Sequence, residues 1–480
     1  MPVARKDRRR GVGIHAAPRV RSTAPEKTAR NRVAALLVRW SVAGILIAAA
    51  ACVAEAQVVL PPIVPTAPPW NVQQVFDPLL FPQWWDPDRQ KGALPEDTPV
   101  KIRQQPGYEP VGIRFGSLMF DPSVTAGALY DSNVFAANTG PRADVASVVT
   151  PSLRVQSLGE QHQLDLLGIV QSYSYLDHPS LDQTNANVSG RGRVDLRDDI
   201  ELLTTFNAGE LHEAVGSLTS PTGAVAPTPY SLFSGDVTYR QEFGRMIASL
   251  GTRFDSYNYG ATHTQDGTVI DQSSRDGQIY DAHGRVDYTF SPKFGLFTAG
   301  DVNRRDLRGT PGQPLSSDGY RLLAGVDTEF THLITGELGA GFVRQRFDDV
   351  TIGTIEGPTY RALLTWSPTR MVDVWFKAEQ IITQATLTDA SGIQADALVL
   401  GLDYEFRRNV IFSTSATYEN DRFHGLPRND KVFATYAELR YLLNRYATIS
   451  LRHSYTQRDS NIPIDSYTKH QVGLNVTAQF

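Results

Sequence analysis

The chain ends HQVGLNVTAQF, His470 to Phe480. From Val472 onward every second residue is apolar (Val472, Leu474, Val476, Ala478, Phe480), and Gln471, Gly473, Asn475, Thr477 and Gln479 between them are small or polar. A period of two puts the two sets on opposite faces of a β-strand. The chain therefore stops in mid-strand on an aromatic. Its apolar face needs a cover, and its open edge needs a partner.

The same alternation recurs upstream. In ADALVLGLDYEF (395–406) Leu398, Leu400, Leu402, Tyr404 and Phe406 oppose Gly401, Asp403 and Glu405. Tyr320, Leu322, Ala324, Val326 and Phe330 oppose Arg321, Gly325, Asp327 and Glu329, and Val372, Val374, Phe376 and Ala378 oppose Asp373, Lys377 and Glu379. Compact turn signals punctuate these runs at 157–161, 196–199, 242–245, 290–293, 330–333, 366–369, 406–409 and 442–445, some 36 to 49 residues apart. Between them lie longer polar connections such as SLTSPTGAVAPTP and RDLRGTPGQPLSSDG. Short and long connections alternate. A period near 40 also suits a propeller blade, but each period here holds two long extended segments, so the repeat is a hairpin.

Eighteen extended segments are predicted, at 112–130, 144–157, 162–176, 187–197, 199–212, 230–242, 245–259, 278–290, 293–304, 319–330, 334–347, 356–367, 370–384, 394–406, 409–420, 430–442, 446–457 and 467–480. If the weaker pair within 187–212 is not extended, sixteen remain. Their length, ten residues or more, is what a tilted transmembrane β-strand needs. In a soluble sandwich the apolar faces would meet a second sheet; in a membrane barrel they meet lipid while charges line the interior. Three features favour the barrel: aromatics at the short turns (Phe243, Phe290, Phe330, Trp366, Phe406, Tyr441), the short/long alternation, and the terminal strand, which must pair with the first to close the sheet. The expected fold is an all-β, antiparallel up-and-down transmembrane barrel. Lipid would cover the apolar face of 472–480, and the first strand its edge.

Residues 1–56 read as a secretory leader. Arg8, Arg9, Arg10, Arg30, Arg32 and Arg39 precede WSVAGILIAAAACVA, and Ala54-Glu55-Ala56 supplies an A-x-A cleavage site. The apolar run is shorter than the ~20 residues of a membrane-spanning helix. The single cysteine, Cys52, lies in this leader, with Ala49 where a lipid anchor would want a large aliphatic residue. The leader carries 11 of the 46 Lys+Arg and 3 of the 51 Asp+Glu, so the mature chain would hold 35 against 48, a charge of −13. That argues against nucleic acid as a partner. Residues 57–110 are rich in proline, which forbids regular structure, and carry Trp70, Phe76, Phe81, Trp84 and Trp85. They read as an extended periplasmic arm. Such an arm is either a solvated spacer or a segment that docks on a periplasmic partner or enters the barrel mouth.

FDPSVTAGALYDSNVF (120–135), VTPSLRVQS (149–157) and PTPYSLFSGDVTYRQEF (227–243) resemble the "putative beta-barrel porin" family of Gram-negative bacteria over roughly 108–480. The run Tyr130-Asp131-Ser132-Asn133-Val134-Phe135 is the most specific part. The resemblance implies an outer-membrane barrel and, since the family's substrates are generally unassigned, says more about architecture than about cargo.

Facing assignments predict a pore lining of Arg191, Arg193, Asp195, Asp236, Arg240, Arg253, Asp255, Arg285, Asp287, Asp301, Arg321, Asp327, Glu329, Glu337, Arg361, Asp373, Lys377, Glu379, Asp403, Glu405, Glu438, Arg440 and Arg452. Both signs occur, with a small negative bias. Phe480 is the expected terminal insertion signal, read by the barrel-assembly machinery. The 209–229 loop, long and proline-bearing, is the constriction candidate. Catalytic chemistry is not indicated: the histidines are scattered without metal-ligand spacing, no G-x-S-x-G occurs, and the acidic loop DGTVIDQSSRDG (266–277) lacks EF-hand register. No cofactor is expected. The functional expectation is a non-enzymatic outer-membrane channel for small hydrophilic solutes. The rival readings are an exopolysaccharide-export component, with the arm binding a periplasmic partner, and a surface adhesion scaffold built on the long loops.

Overall fold

A computed structural model describes residues 100, 103 and 105–480, apart from 160, 222, 292, 311–313, 332 and 385–391; the side chains of 329–331, 383 and 384 are also outside it. The leader with its cleavage site and Cys52, the five arm aromatics, and the side chains of Glu329 and Phe330 therefore lie outside the described residues.

Among the described residues eighteen long strands form one closed antiparallel sheet. They are β1 (Leu118–Asp131), β2 (Asp144–Ser157), β3 (His162–Tyr175), β4 (Gln183–Arg197), β5 (Ile200–Glu213), β6 (Thr228–Phe243), β7 (Met246–Tyr259), β8 (Gly277–Ser291) and β9 (Phe294–Leu307). The second half comprises β10 (Ser317–Thr331), β11 (Ile334–Phe347), β12 (Thr354–Thr369), β13 (Val372–Gln384), β14 (Gly392–Arg407), β15 (Val410–His424), β16 (Asn429–Asn444), β17 (Ala447–Ser460) and β18 (Tyr467–Gln479). Each strand pairs with its sequence neighbours, and β18 pairs with β1 from Ser123↔Gln479 to Asp131↔Gln471. The sixteen-strand alternative fails because β4 and β5 pair from Ala186↔Glu210 to Asp195↔Glu201 and, past one register shift, at Arg197↔Ile200. Two local expectations are corrected. The first extended segment is broken: Ile113–Phe115 folds back on β1 through a turn at Gly116. The turn placed at 366–369 sits instead at Arg370-Met371, because β12 runs on to Thr369 through a register shift between Trp366 and Thr369. Pro368 lies in that shift, where its missing N–H costs no ladder bond.

The family-like run 130–135 has a physical role, clasping the closing edge. Asp131 accepts hydrogen bonds from the Asn133 backbone N–H (2.9 Å) and Gln471 Nε2 (2.9 Å), and pairs with Lys469 Nζ (2.8 Å). Asn133 Nδ2 donates to the carbonyls of Ala137 (2.9 Å) and Thr468 (3.1 Å). The Ser132 N–H donates to the His470 carbonyl, and the His470 N–H returns to Ser132 Oγ. First and last strands are thus tied by side chains as well as by the ladder.

Burial is inverted relative to a soluble protein. Leu250 is 68% exposed and Leu400 55%, whereas Arg193 is 0% and Glu379 2% exposed. A sandwich would cover those leucines; here they form the outer face, which only lipid can cover favourably. Aromatics ring that face at two heights. Near the short turns Phe406 packs with Tyr404 (4.1 Å between centroids) and Phe412 (6.3 Å); near the long loops Phe254 packs with Phe233 (6.2 Å) and Tyr280 (5.3 Å). On β8, Tyr280 and the exposed Phe290 lie ten residues apart. That is about 33 Å of strand, or about 25 Å along the membrane normal at a tilt near 40°. The sequence reading expected the girdle at the short turns; the second girdle is an addition.

Candidate functional site

Residues at equal height on neighbouring strands, and residues two apart along one strand, stand on one face close enough to touch, and the charges use both arrangements to pair. Asp165 is held by Arg154 (2.6 Å) and Arg191 (2.5 Å). Arg193 pairs with Asp195 (3.0 Å), Arg240 with Glu201 (2.6 Å) and Arg253 with Asp255 (3.0 Å). From β8 to β13 the pairs link into chains. Arg285 bridges Asp287 (2.7 Å) and Glu337 (2.8 Å), and Arg361 lies 3.7 Å from Glu337. Arg321 bridges Asp301 (2.9 Å) and Glu379 (3.8 Å), which also takes Lys377 (3.1 Å). Asp236 sits 3.7 Å from His283, and Arg452 pairs with Glu438 at 2.7 Å. Asp327 and Arg440 share the inward parity of Glu337 and Glu438, with Asp327 registered opposite Glu337. Asp403 accepts from Trp375 Nε1 (3.1 Å) and Ser413 Oγ (2.5 Å), and Asp373 from Ser367 Oγ (2.6 Å).

Towards the long-loop end the inner wall changes character. Leu232, Tyr257 and Ile279 cluster there with Leu211, Tyr230 and Tyr259, and Leu307, Phe347, Ile355, Ile393 and Phe423 are likewise buried at inward positions. The charged lining thus gives way to an apolar collar, which sequence reading did not list although strand parity contains it. The connection between β5 and β6, residues 214–227, uses this collar. Its Leu218 packs on Ile393 of β14, Phe423 of β15 and Leu426. Strand β14 is nine positions from β5 in the eighteen-strand ring, so the loop reaches the opposite wall. Val215 packs on Val134 and Leu181, and the Val225 N–H bonds the His263 carbonyl. At the base of the loop Arg275 Nη1 bonds Glu213 at 2.6 Å while stacking over Tyr259 at 3.9 Å. Gly216 (φ 77°) lets the loop pass Ala136, whose methyl would collide with any Cβ at that position. The 209–229 constriction candidate therefore crosses the lumen between residues 214 and 227.

Beneath the tip of the loop lies a charge cluster the sequence reading omits. Glu419 and Asp421, inward on β15, are 1% and 0% exposed, and among the described residues their carboxyl groups take no N–H donor and face each other. Arg458 lies beside them, 3.9 Å from Asp430, and donates to the Ser217 carbonyl at 3.5 Å. The parity that places Glu405 inward places these too.

No group of three or more His, Cys, Asp or Glu able to hold a metal occurs among the described residues. The loop acids are used locally. Thr264 Oγ1 and the Thr268 N–H bond Asp266, and the N–H and Oγ of Ser273 bond Asp271. These bonds hold both exposed carboxyls below the usual range. Phe480 donates its N–H to the Pro122 carbonyl (3.2 Å) and accepts from the Gly112 N–H (3.4 Å), placing it at the short-turn rim.

Among solved structures the chain is similar to OccK2 (OpdF) of Pseudomonas aeruginosa, at 15% identity and TM-score 0.42, covering 75% of this chain and 98% of that one. The siderophore receptor PirA of Acinetobacter baumannii gives 7% identity, TM-score 0.43 and coverages of 75% and 80%. The ferric enterobactin receptor PfeA of Pseudomonas aeruginosa, as a double mutant, gives 8%, 0.42, 75% and 80%. No curated protein sequence matches. The family model described as "Putative beta-barrel porin 2" matches residues 105–480, nearly the whole described chain, and the protein belongs to that family of outer-membrane β-barrels.

Proposed function

We propose that the protein is a passive channel for small hydrophilic solutes in the Gram-negative outer membrane. The observation that carries this reading is the charged lining from β2 to β17, paired across and along strands and placed inside a ring of lipid-facing leucines, valines and aromatics. An interior of that kind holds water rather than an apolar ligand, and rings of 16–18 strands are wide enough for a channel. The reading places the short turns, the amino-terminal arm and Phe480 in the periplasm and the long loops outside. It makes outer-membrane lipid and the barrel-assembly machinery the partners of the outer face and the last strand. It involves no catalysis and no cofactor. Loop 214–227 is the constriction, and the acidic excess of the lining makes the pore weakly cation-preferring.

The test is selectivity. With Asp373, Asp403, Glu405 and Glu438 changed together to Asn or Gln, the reversal potential in a salt gradient shifts toward anions, while the lipid-facing Leu400→Val leaves it unchanged. An unchanged reversal potential in the first variant contradicts the reading.

A further inference from the structure

We propose that the segment leading into the barrel is a strap across its short-turn mouth, seated in an acidic notch on the inner wall, and that this strap sets the aperture at that end. The inference rests on the channel reading. Asp373 of β13 and Asp403 of β14 are registered directly opposite each other, and Glu405 is the next inward residue of β14. Like charges so placed repel across a sheet. Lys377, the inward cation of β13, is held by Glu379 at 3.1 Å. By register, Arg440 lies two strands from Glu405. The wall gives Asp373 and Asp403 the neutral donors Ser367, Trp375 and Ser413, so what the notch takes from elsewhere is a cation.

The leading segment brings it. The Val100 N–H donates to Asp373 Oδ2, and the Arg103 guanidinium donates to the Arg370 carbonyl and, at 3.1 Å, to Glu405. Gln105 Nε2 donates to the same Glu405 oxygen at 3.1 Å. Val100 is 1% exposed, and Gln105 is buried too. From this seat the chain turns where the Tyr108 N–H bonds the Gln105 carbonyl, then bends at Gly112 (φ 66°) and pairs Ile113–Phe115 with β1. A side chain at Gly112 would collide with Met119 and Asp121. Strand β13 is six positions from β1 in the ring of eighteen. A connection between points a third of the circumference apart takes a chord of the mouth.

The blockage can be sized. Eighteen strands about 4.8 Å apart and tilted about 40° close a ring about 36 Å across between backbones, narrowed to about 25 Å by inward side chains. One extended chain with its side chains, about 10 Å wide, covers about half of that opening.

Two measurements test the strap. Val100→Cys paired with Ser367→Cys, which keeps the Val100 N–H, Arg103, Gln105, Asp373 and Glu405 in place, should cross-link with a short bis-maleimide in outer-membrane preparations, whereas Val100→Cys with Asp165→Cys should not. Absence of the first cross-link overturns the seat. In planar bilayers, in a barrel that also lacks residues 214–227 so that the short-turn mouth limits the current, Arg103→Glu with Gln105→Glu, or deletion of residues 57–105, should raise single-channel conductance up to about twofold, because about half the mouth is uncovered. Conductance equal to that of the loop-deleted parent overturns the strap while leaving the channel reading intact. No conductance from any of these proteins, with the cross-link formed, overturns the channel reading and the aperture role together.

Discussion

Leu218 is the side chain by which loop 214–227 grips the far wall. It is buried against Ile393 and Phe423, while the neighbouring polar tie, Arg458 to the Ser217 carbonyl, is long at 3.5 Å. Truncating a buried leucine to alanine costs about 2–5 kcal/mol. The lower part of that range, about 2–3 kcal/mol, applies here, because a released loop lets the collar side chains close over the vacated space. At about 1.4 kcal/mol per tenfold change, Leu218→Ala raises the ratio of released to seated loop by about 30- to 150-fold. The strand ladder does not pass through Leu218, so the barrel itself keeps its stability. In single-channel recordings the variant should show frequent excursions to a higher conductance level, while Val350→Ala, at an exposed loop tip, should behave as the unaltered protein does. Traces of Leu218→Ala without added excursions, from a barrel folded to normal yield, would refute the assignment of this loop as the constriction.

Two further outcomes follow from the closing edge. Asp131→Ala strands Lys469 and the Gln471 amide, both bonded to that carboxylate; removing one partner of a buried pair costs about 3–5 kcal/mol. The folded, faster-migrating form should therefore be lost at lower temperature on detergent gels, and an unchanged transition would remove the clasp from the account. Phe480→Asp should lower the amount of folded protein in the outer membrane, because it places a charge at the apolar rim where β18 meets Pro122 and Gly112; wild-type levels would dismiss the insertion role.

The barrel was legible because alternation survives in nearly every strand. The strand starts at Asp144, Ile334 and Tyr467 fall where the sequence pattern puts them. Parity also carries the pore lining: Arg321 and Asp301 sit on different strands, yet the face of each can be read independently. Parity does not report height or what stands across the lumen. Hence the collar of Ile279, Phe347, Ile393 and Phe423 was invisible as a collar, since a lone apolar residue at an inward position means little until its neighbours align with it. The carboxylates Glu419 and Asp421 obey the same rule as Glu405. Asp421 escapes the sequence reading because the predicted strand ends at residue 420, one short of it, whereas Glu419 lies within that strand and its parity was there to be read. The contact of Leu218 with Ile393 joins positions far apart in the chain and opposite in the ring, and no local pattern encodes it. The seat of Val100, Arg103 and Gln105 is likewise a tertiary fact, although the proline-rich zone reads as able to enter the mouth.

The central claim is that the charged interior conducts. Its most direct measurement is the conductance of the purified protein in planar bilayers, alongside a variant lacking residues 214–227 with the ends of β5 and β6 rejoined by a short turn. The account predicts ion conductance from the unaltered protein and a larger conductance from the loop-deleted barrel. Silence from both, when both migrate as folded barrels, would contradict it and favour an export or scaffold role.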